Sequence, residues 1–228
     1  ESGASDPPPR LRGLLDQMRR EGLLARYAAI AAPDLVAGAT AGAAVLAGAF
    51  WRPNILFLHG AGRTQDEVQR LLDLSRARDT GFTLLLPHAR AGLRGEKVIN
   101  LWIRDQSPNW RLGLQLANLD LAILLGHQLR RNWGGRLRLL SAVAAPQNLP
   151  AARHYLRRMI EEARLPAATE VWVEAGDFAA HRPHAPPPDI HVLGIPERVD
   201  LPALHAIVAS LGAACLFVHD STQESALA

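Results

Sequence analysis

The sequence predicts an α/β fold with a mainly parallel sheet and helices on both of its faces. Short apolar runs alternate with segments of helical spacing along most of the chain, which is the pattern of βαβ units. The predicted strands are apolar almost throughout, as expected of strands that are covered on both faces. The clearest unit comprises strand Val98–Ile103, a helix from Asn118 to the Gly134-Gly135 pair, and strand Arg136–Val143. A crossover helix between two strands makes those strands parallel.

The part of the chain before about Pro87 is predicted to alternate three helices with three strands. Residues 1–9 are polar and contain prolines, and we expect them to be disordered. Glycines, an aspartate and a T-x-x-E capping box mark the ends of the helices. In order, the predicted elements are helix Arg10–Glu21, strand Leu23–Ala32, an Ala/Gly-rich helix Leu35–Phe50 with Asp34 near its start, strand Asn54–Leu58, a helix from Thr64 to Gly81, and strand Phe82–Leu86.

A basic, glycine-bearing linker at residues 88–96 leads to a second part that repeats the alternation, so we expect two lobes, residues 10–94 and 95–228. Ser221 and Glu224 form another capping-box pattern, which predicts a short helical tail. After the βαβ unit, the predicted elements are helix Pro150–Arg164 with Asn148 as N-cap, strand Thr169–Glu174, a proline-rich loop Asp177–Asp189, strand Ile190–Ile195, helix Leu201–Leu211 capped by Asp200, and strand Ala214–Val218.

The helix that begins at Asn118 carries more apolar surface than a helix with one solvated face needs. A helix that is apolar on two sides is normally covered on both. We expect its second stripe to be covered by another element or by another chain, and the sequence leaves both alternatives open. The two stripes are Leu119, Ala122, Ile123 and Gly126 on one side, and Leu121, Leu124, Leu125 and Leu129 on the other.

Length, charge and cysteine content exclude several classes of protein. The chain has 228 residues, of which 48% are hydrophobic, so it can form a packed core. Its net charge of +3 comes from interspersed charges, which argues against a nucleic-acid partner but leaves a modest attraction to an anionic membrane open. The one cysteine, Cys215, excludes an intrachain disulfide, and its apolar strand predicts a buried thiol.

No stretch of the sequence predicts a membrane-spanning helix. The uncharged window Leu35–Phe50 is too short and too rich in alanine and glycine to cross a bilayer. The polar start at residues 1–6 lacks the pattern of a signal peptide. We expect the chain to be a piece of a longer protein.

Three regions carry a resemblance to a known family. The first contains N-L-W-I-R-D at residues 100–105, N-L-D-L-A-I-L-L at 118–125 and R-N-W-G-G-R-L-R-L at 131–139. The second is the segment Trp51–Leu58, and the third is Cys215–Ser221 followed by Glu224–Ala228. Together they resemble the cytosolic C-terminal domain of prokaryotic cation-chloride cotransporters, which are relatives within the amino acid–polyamine–organocation superfamily.

The resemblance covers nearly the whole chain, and it implies features that spacing alone does not. In this family each lobe is similar to a universal stress protein, and the two lobes join into one broad sheet. The family also implies a homodimer on the cytoplasmic side of the cell membrane. Its second partner would be the transmembrane part of the same transporter, which performs secondary active ion transport.

The sharpest candidate for a binding site is the turn from His59 to Thr64. Backbone N–H groups and the helix dipole favour phosphate at a glycine-rich turn before a helix, so Gly60, Gly62, Arg63 and Thr64 are candidate nucleotide-binding residues. ATP would be the ligand, and no other cofactor is predicted. The alternative is that a tight strand-to-helix turn requires glycine by itself, and the full G-x-G-x-x-G and P-loop motifs are absent from the sequence.

Three further polar clusters are better explained as loops and caps than as reactive sites. Asp105-Gln106-Ser107 follows a predicted strand, where ligands bind in α/β sheets, but these residues also favour turns. His181 and His184, with Asp189 and His191, could bind zinc, yet the prolines between them favour an irregular loop. His219-Asp220-Ser221 are adjacent, whereas a catalytic triad converges from separate elements. We therefore predict no catalytic residue and no metal site.

The sequence thus predicts a non-enzymatic cytosolic domain with a regulatory and dimerising role in a membrane cation-chloride cotransporter. The predicted partner surfaces are the helix Asn118–Gln128, through Leu121, Leu124, Leu125 and Gln128, and the helix Leu35–Phe50. The alternative is a stand-alone nucleotide-binding protein of the universal-stress type.

Overall fold

The structure is a computed structural model that describes residues 7–50, 52–91, 95, 97–107, 110, 112 and 119–227 of the chain. The chain divides into two units, Glu1–Arg52 and Pro53–Ala228. The predicted helix start at Asn118, most of the lead at residues 1–9 and part of the linker 88–96 lie outside the described residues. Within the described ranges, no helix has the length and apolar character needed to cross a membrane.

In the described part of the first unit there are two helices, α1 (Pro9–Arg20) and α2 (Leu35–Ala47). The carboxylate of Asp34 accepts the backbone N–H of Ala37 at 2.7 Å, so α2 begins where the sequence predicted. It ends at Ala47, before the predicted end at Phe50. The predicted strand at residues 23–32 is wrong, because these residues form no strand. Half of that segment is alanine, which is depleted in β-sheets.

The second unit alternates strands and helices as predicted. Its elements are β1 (Ile55–His59), α3 (Gln65–Ala77), β2 (Gly81–Leu86), β3 (Val98–Trp102), α4 (Asp120–Trp133), β4 (Arg136–Val143), α5 (Leu149–Glu162), β5 (Glu170–Ala175), α6 (Phe178–His181), β6 (Ile190–Gly194), α7 (Leu201–Leu211) and β7 (Ala214–His219). Short 3-10 turns at Pro146–Asn148 and Arg182–His184 precede α5 and follow α6.

The seven strands of the described residues form one sheet in the order β1-β2-β7-β6-β3-β4-β5. All neighbouring strands are parallel except β2 and β7, whose antiparallel register runs from Phe82 opposite His219 to Leu86 opposite Cys215. This single antiparallel pairing joins the strands of the first predicted lobe to those of the second. The predicted boundary between residues 94 and 95 falls between β2 and β3 and stays a prediction.

Helices cover both faces of the sheet, which confirms the predicted fold class. On one face, α4 and α5 pack on a core that includes Ile99, Leu101 and Leu139. The opposite face carries α7 and α3, where the Arg76 Nε of α3 lies 3.4 Å from the His219 Nε2 of β7. Alternate residues of each strand point to alternate faces, so both faces of the central strands are buried.

Three local predictions in the second unit need correction. The segment Asp177–Asp189, predicted as a proline-rich loop, contains α6 and the 3-10 turn Arg182–His184. Residues 221–227 are not helical, although the backbone N–H and the hydroxyl of Ser221 both bind the Glu224 carboxylate, at 2.9 and 2.8 Å. The capping contacts therefore form without a helix. Asn148 precedes α5, but its side chain does not cap the helix and instead donates to the Ser107 hydroxyl.

Candidate functional site

Helix α4 packs its first apolar stripe on the sheet, as predicted. Ala122 and Ile123 are each 1% exposed, and a Cβ at Gly126 would stand 3.4 Å from Leu137, so a small residue lets the helix approach β4 closely. The helix ends at Gly134, which adopts a left-handed conformation with φ of 58°. The βαβ unit is therefore closely packed at its centre, and a left-handed glycine ends α4.

The second stripe of α4 is covered in part by the same chain. Leu121 is 2% exposed, and its Cδ2 atom lies 2.6 Å from where a Cβ of residue 81 would stand, so Gly81 makes room for it. The prediction that Leu121 meets a partner is therefore corrected, since it lies in the core. Leu125 is half-buried, whereas Leu124, at 40% exposure, and Gln128 lie at the surface.

The N-terminus of α4 is capped by a residue a hundred positions away. The Asp220 carboxylate accepts the backbone N–H groups of Asp120 at 3.0 Å and Leu121 at 2.9 Å. In return, the Asp120 carboxylate accepts the N–H of Ala226 at 2.6 Å, which folds the C-terminal segment back onto the helix. Burial raises the pKa of Asp220 to about 6, and the neighbouring Glu224 and Asp120 carboxylates add to this increase.

The N-L-W-I-R-D segment is explained by buried polar contacts of β3. Asn100 donates to the Pro186 carbonyl at 2.7 Å and so holds the proline-rich loop. The Trp102 indole N–H donates to His191 Nδ1 at 3.0 Å. His191 is 1% exposed, and burial lowers its pKa to about 4, so its imidazole is neutral near pH 7. These residues position the end of β3.

The end of β3 opens into a cavity of about 900 Å³. Its walls come from the ends of β3, β4 and β6, from α6 and from the first turns of α7. The Trp102 ring meets the Phe178 ring edge-on, with their centroids 4.9 Å apart. Asp105, which the sequence analysis assigned to a loop, is at the rim, where it accepts the Ser107 N–H at 2.8 Å and the Ala144 N–H at 2.7 Å.

The glycine-rich turn before α3 has a structural explanation for each of its candidate residues. A Cβ at Gly60 would overlap the Leu86 side chain, and Gly62 has a φ of 73°. Thr64 and Glu67 form the predicted capping box, and Arg63 lies 3.9 Å from the same Glu67 carboxylate. The carboxylate of Glu67 therefore occupies the helix N-terminus, where a phosphate would bind. Nucleotide binding at these residues stays a prediction.

The remaining polar clusters do not converge in space. Asp189 accepts the N–H groups of Lys97 and Val98 at 2.9 and 2.8 Å, and His181 binds the Ala175 carbonyl at 2.7 Å. His219, Asp220 and Ser221 each contact a different part of the unit. Within the described ranges, no group of three or more His, Cys, Asp or Glu side chains could hold a metal ion. The Cys215 thiol is buried, which raises its pKa.

Sequence reasoning missed the Asp220 cap and the cavity. Asp220 carries no local sign of its role, because its partners are distant in sequence. The position of the cavity depends on which strands are neighbours in the sheet, and local sequence patterns do not predict the strand order. The only available signal was the polar segment after β3, since ligands bind beyond the carboxyl ends of parallel strands.

The fold and these contacts define the class of protein, an α/β domain that combines two strand sets in one broad sheet. Models of prokaryotic cation-chloride cotransporter C-terminal domains match the chain, the first domain at residues 3–93 and the second at residues 94–227. The chain therefore belongs to the family of prokaryotic cation-chloride cotransporter C-terminal domains, as its sequence motifs indicated. It forms part of a membrane cotransporter, on the cytoplasmic side.

Solved structures agree with this family and with the fold. The chain is similar to the crystal structure of the cytoplasmic domain of a prokaryotic cation chloride cotransporter, with a TM-score of 0.84 and 26% identity over 95% of this chain and 81% of that one. It shares only the fold with a putative universal stress protein from Pseudomonas aeruginosa, at a TM-score of 0.52 and 13% identity over 93% and 78% of the two chains. No curated protein matches the sequence.

Proposed function

We propose that this domain dimerises and, as a dimer, regulates ion transport by the transmembrane part of its cotransporter. The observation that supports the proposal is apolar surface on the α4 side of the sheet. Among the described residues of the second unit, the exposed large apolar side chains are Phe57, at 60% exposure, and Leu124, at 40%. The register of β1, β2 and β7 directs Phe57 to the face that α4 covers.

The same helix is well suited to transmit a contact to the rest of the domain. The Asp220 carboxylate binds its N-terminus, and its buried stripe packs on β3 and β4. We therefore expect the helix to move together with the sheet. A partner that contacts Leu124, Leu125 and Gln128 in one transporter state better than in another shifts the equilibrium towards that state. Cation and chloride transport itself is assigned to the transmembrane part.

Sedimentation of the domain tests the dimer. We expect wild type to sediment as a dimer and Leu124→Arg to sediment as a monomer with an unchanged unfolding midpoint. Leu24→Arg is the matched control, because Leu24 is 73% exposed and lies outside the helices. A monomeric wild type, or a dimer that tolerates Leu124→Arg, contradicts the proposal. Leu121→Arg is unsuitable, since it places a charge in the core.

Uptake by the complete transporter tests regulation. Leu124→Arg in the full chain, reconstituted in proteoliposomes, should change the rate of cation and chloride uptake, whereas Leu24→Arg should not. Equal rates in the two variants and wild type would remove the regulatory role and leave dimerisation to be judged by sedimentation.

A further inference from the structure

The cavity at the end of β3 lies where the sheet changes its direction of winding. The chain leaves β3 through α4 to β4 on one side, and it returns through β5 and α6 to β6 on the other side of β3. Helices α4 and α7 therefore cover opposite faces, and a crevice opens beyond the ends of β3 and β6. Crevices of this kind are the usual ligand sites of open α/β sheets.

The cavity has the size and the walls of a small-molecule site. Its volume of about 900 Å³ lies within the range of ligand pockets. Apolar side chains form most of its lining, among them Trp102, Phe178, Leu204 and Phe217. The Trp102 ring is held by its bond to His191 and by its edge-on contact with Phe178, so this wall is formed before any ligand arrives.

The charged groups of the lining are mostly negative. Asp105, Asp177 and Asp200 line the cavity, and Arg104 is the one cationic residue among the residues that line it. Asp200 caps α7 by accepting the Ala203 N–H at 2.9 Å, whereas Asp177 precedes α6 without capping it and is exposed at the rim. Asp105 and Asp200 already accept backbone N–H groups, which leaves Asp177 as the exposed carboxylate that can meet a ligand. The three carboxylates together would repel a phosphate.

We propose that this cavity binds a small organic cation, with an aliphatic or aromatic body against Trp102 and Phe178 and an ammonium group near Asp177. Burial of the apolar body removes apolar surface from water. The ammonium group is attracted by the acidic rim, where Arg104 is the cation of the lining and the Arg182 guanidinium lies 5.9 Å from the centroid of the Phe178 ring. The lining includes the start of α7 and the segment after β3. A bound ligand would therefore contact both elements and restrain one relative to the other. The proposal goes beyond dimerisation and does not depend on it.

Two probes with the same phenylethyl body and opposite charge test the proposal by calorimetry on the domain. The probes are 2-phenylethylamine and 3-phenylpropionate. We expect the amine to bind at least tenfold more tightly than the acid. Asp177→Asn should reduce that ratio several-fold, because it removes charge and keeps the shape of the side chain.

Blocking variants locate the binding. Gly194 and Ala203 both line the cavity, and a Cβ at Gly194 meets no heavy atom within 4 Å, so the blocking variants are Gly194→Leu on β6 and Ala203→Trp on α7. Both should weaken amine binding at least tenfold with unchanged unfolding midpoints. Gly13→Leu is the matched control, because Gly13 also has open space around it and lies on α1. Equal affinity for the two probes, no binding of the amine, or full binding by both blocked variants overturns the proposal.

Discussion

His191 and Asp220 are buried groups whose pKa values depart from their ordinary values in opposite directions. Burial lowers the pKa of His191 from 6.5 to about 4, and burial raises the pKa of Asp220 from 3.8 to about 6. The folded state therefore favours the neutral form of both side chains. Their effects on stability have opposite signs over the same range of pH.

The sign follows from which state binds more protons. Between about pH 4 and 6.5 the folded state binds fewer protons at His191 than the unfolded state does. The stability that this group contributes is therefore complete above about pH 6.5 and is lost as the pH falls through about 4. For Asp220 the contribution is complete below about pH 3.8 and is lost as the pH rises through about 6. At about 1.4 kcal/mol per pKa unit, each effect amounts to about 3 kcal/mol.

In wild type the two effects largely cancel, and single substitutions separate them. His191→Asn retains an acceptor for the Trp102 indole but does not titrate, and Asp220→Asn does not titrate either. Relative to wild type, we expect the free energy of unfolding of His191→Asn to rise by about 2–3 kcal/mol between about pH 7 and 4, and that of Asp220→Asn to fall by about the same amount.

Urea unfolding of wild type and the two variants between about pH 4 and 7 measures how the free energy of unfolding of each protein changes with pH. The difference between wild type and His191→Asn isolates the His191 side chain. The difference between wild type and Asp220→Asn measures the coupled effect of Asp220 and its neighbouring carboxylates, Asp120 and Glu224. The reasoning is refuted if the three curves run parallel, because the two side chains would then have ordinary pKa values in the folded state. Slopes of the reverse sign would refute it as well.

Three further outcomes test the contacts described above. Asp120→Asn should lower the free energy of unfolding by about 1.5–3 kcal/mol, because the Ala226 N–H loses its charged acceptor. Hydrogen exchange of the Ala226 amide should also accelerate, and an unchanged slow exchange would contradict the contact. Gly135→Ala should destabilise more than Gly134→Ala in thermal unfolding, because its Cβ collides with backbone just before β3, whereas Gly134 only loses its left-handed preference. Calorimetry with ATP tests the predicted nucleotide site: micromolar binding that Arg63→Ala abolishes would favour the nucleotide-binding alternative, whereas no binding would agree with the Glu67 carboxylate at the N-terminus of α3.

Local sequence patterns predicted most elements of the second unit. Capping residues lie within three positions of the N–H groups that they accept, as for Thr64 and Asp200, so their role can be read without the fold. The left-handed glycine at Gly134 is likewise local. The strand predicted at residues 23–32 failed because an apolar run becomes a strand only if another strand pairs with it, and that run is rich in alanine.

The candidate sites were less accessible to sequence reasoning than the fold. The pattern showed that α4 has two apolar stripes, but it did not show which side chains meet the same chain and which remain exposed. Leu121 is buried because Gly81 lies opposite it, whereas Leu124, three positions further on, is 40% exposed. That difference depends on a residue forty positions earlier in the chain.

By itself, the sequence determined the α/β alternation, the ends of most helices and the family, because these depend on residues that are close together along the chain. The tertiary structure decided the order of the strands, the Asp220 cap of α4, the neutral state of His191 and the cavity beyond β3. Each of these arises from groups that are brought together only when distant segments pack, and burial and proximity then set their charge and their contacts.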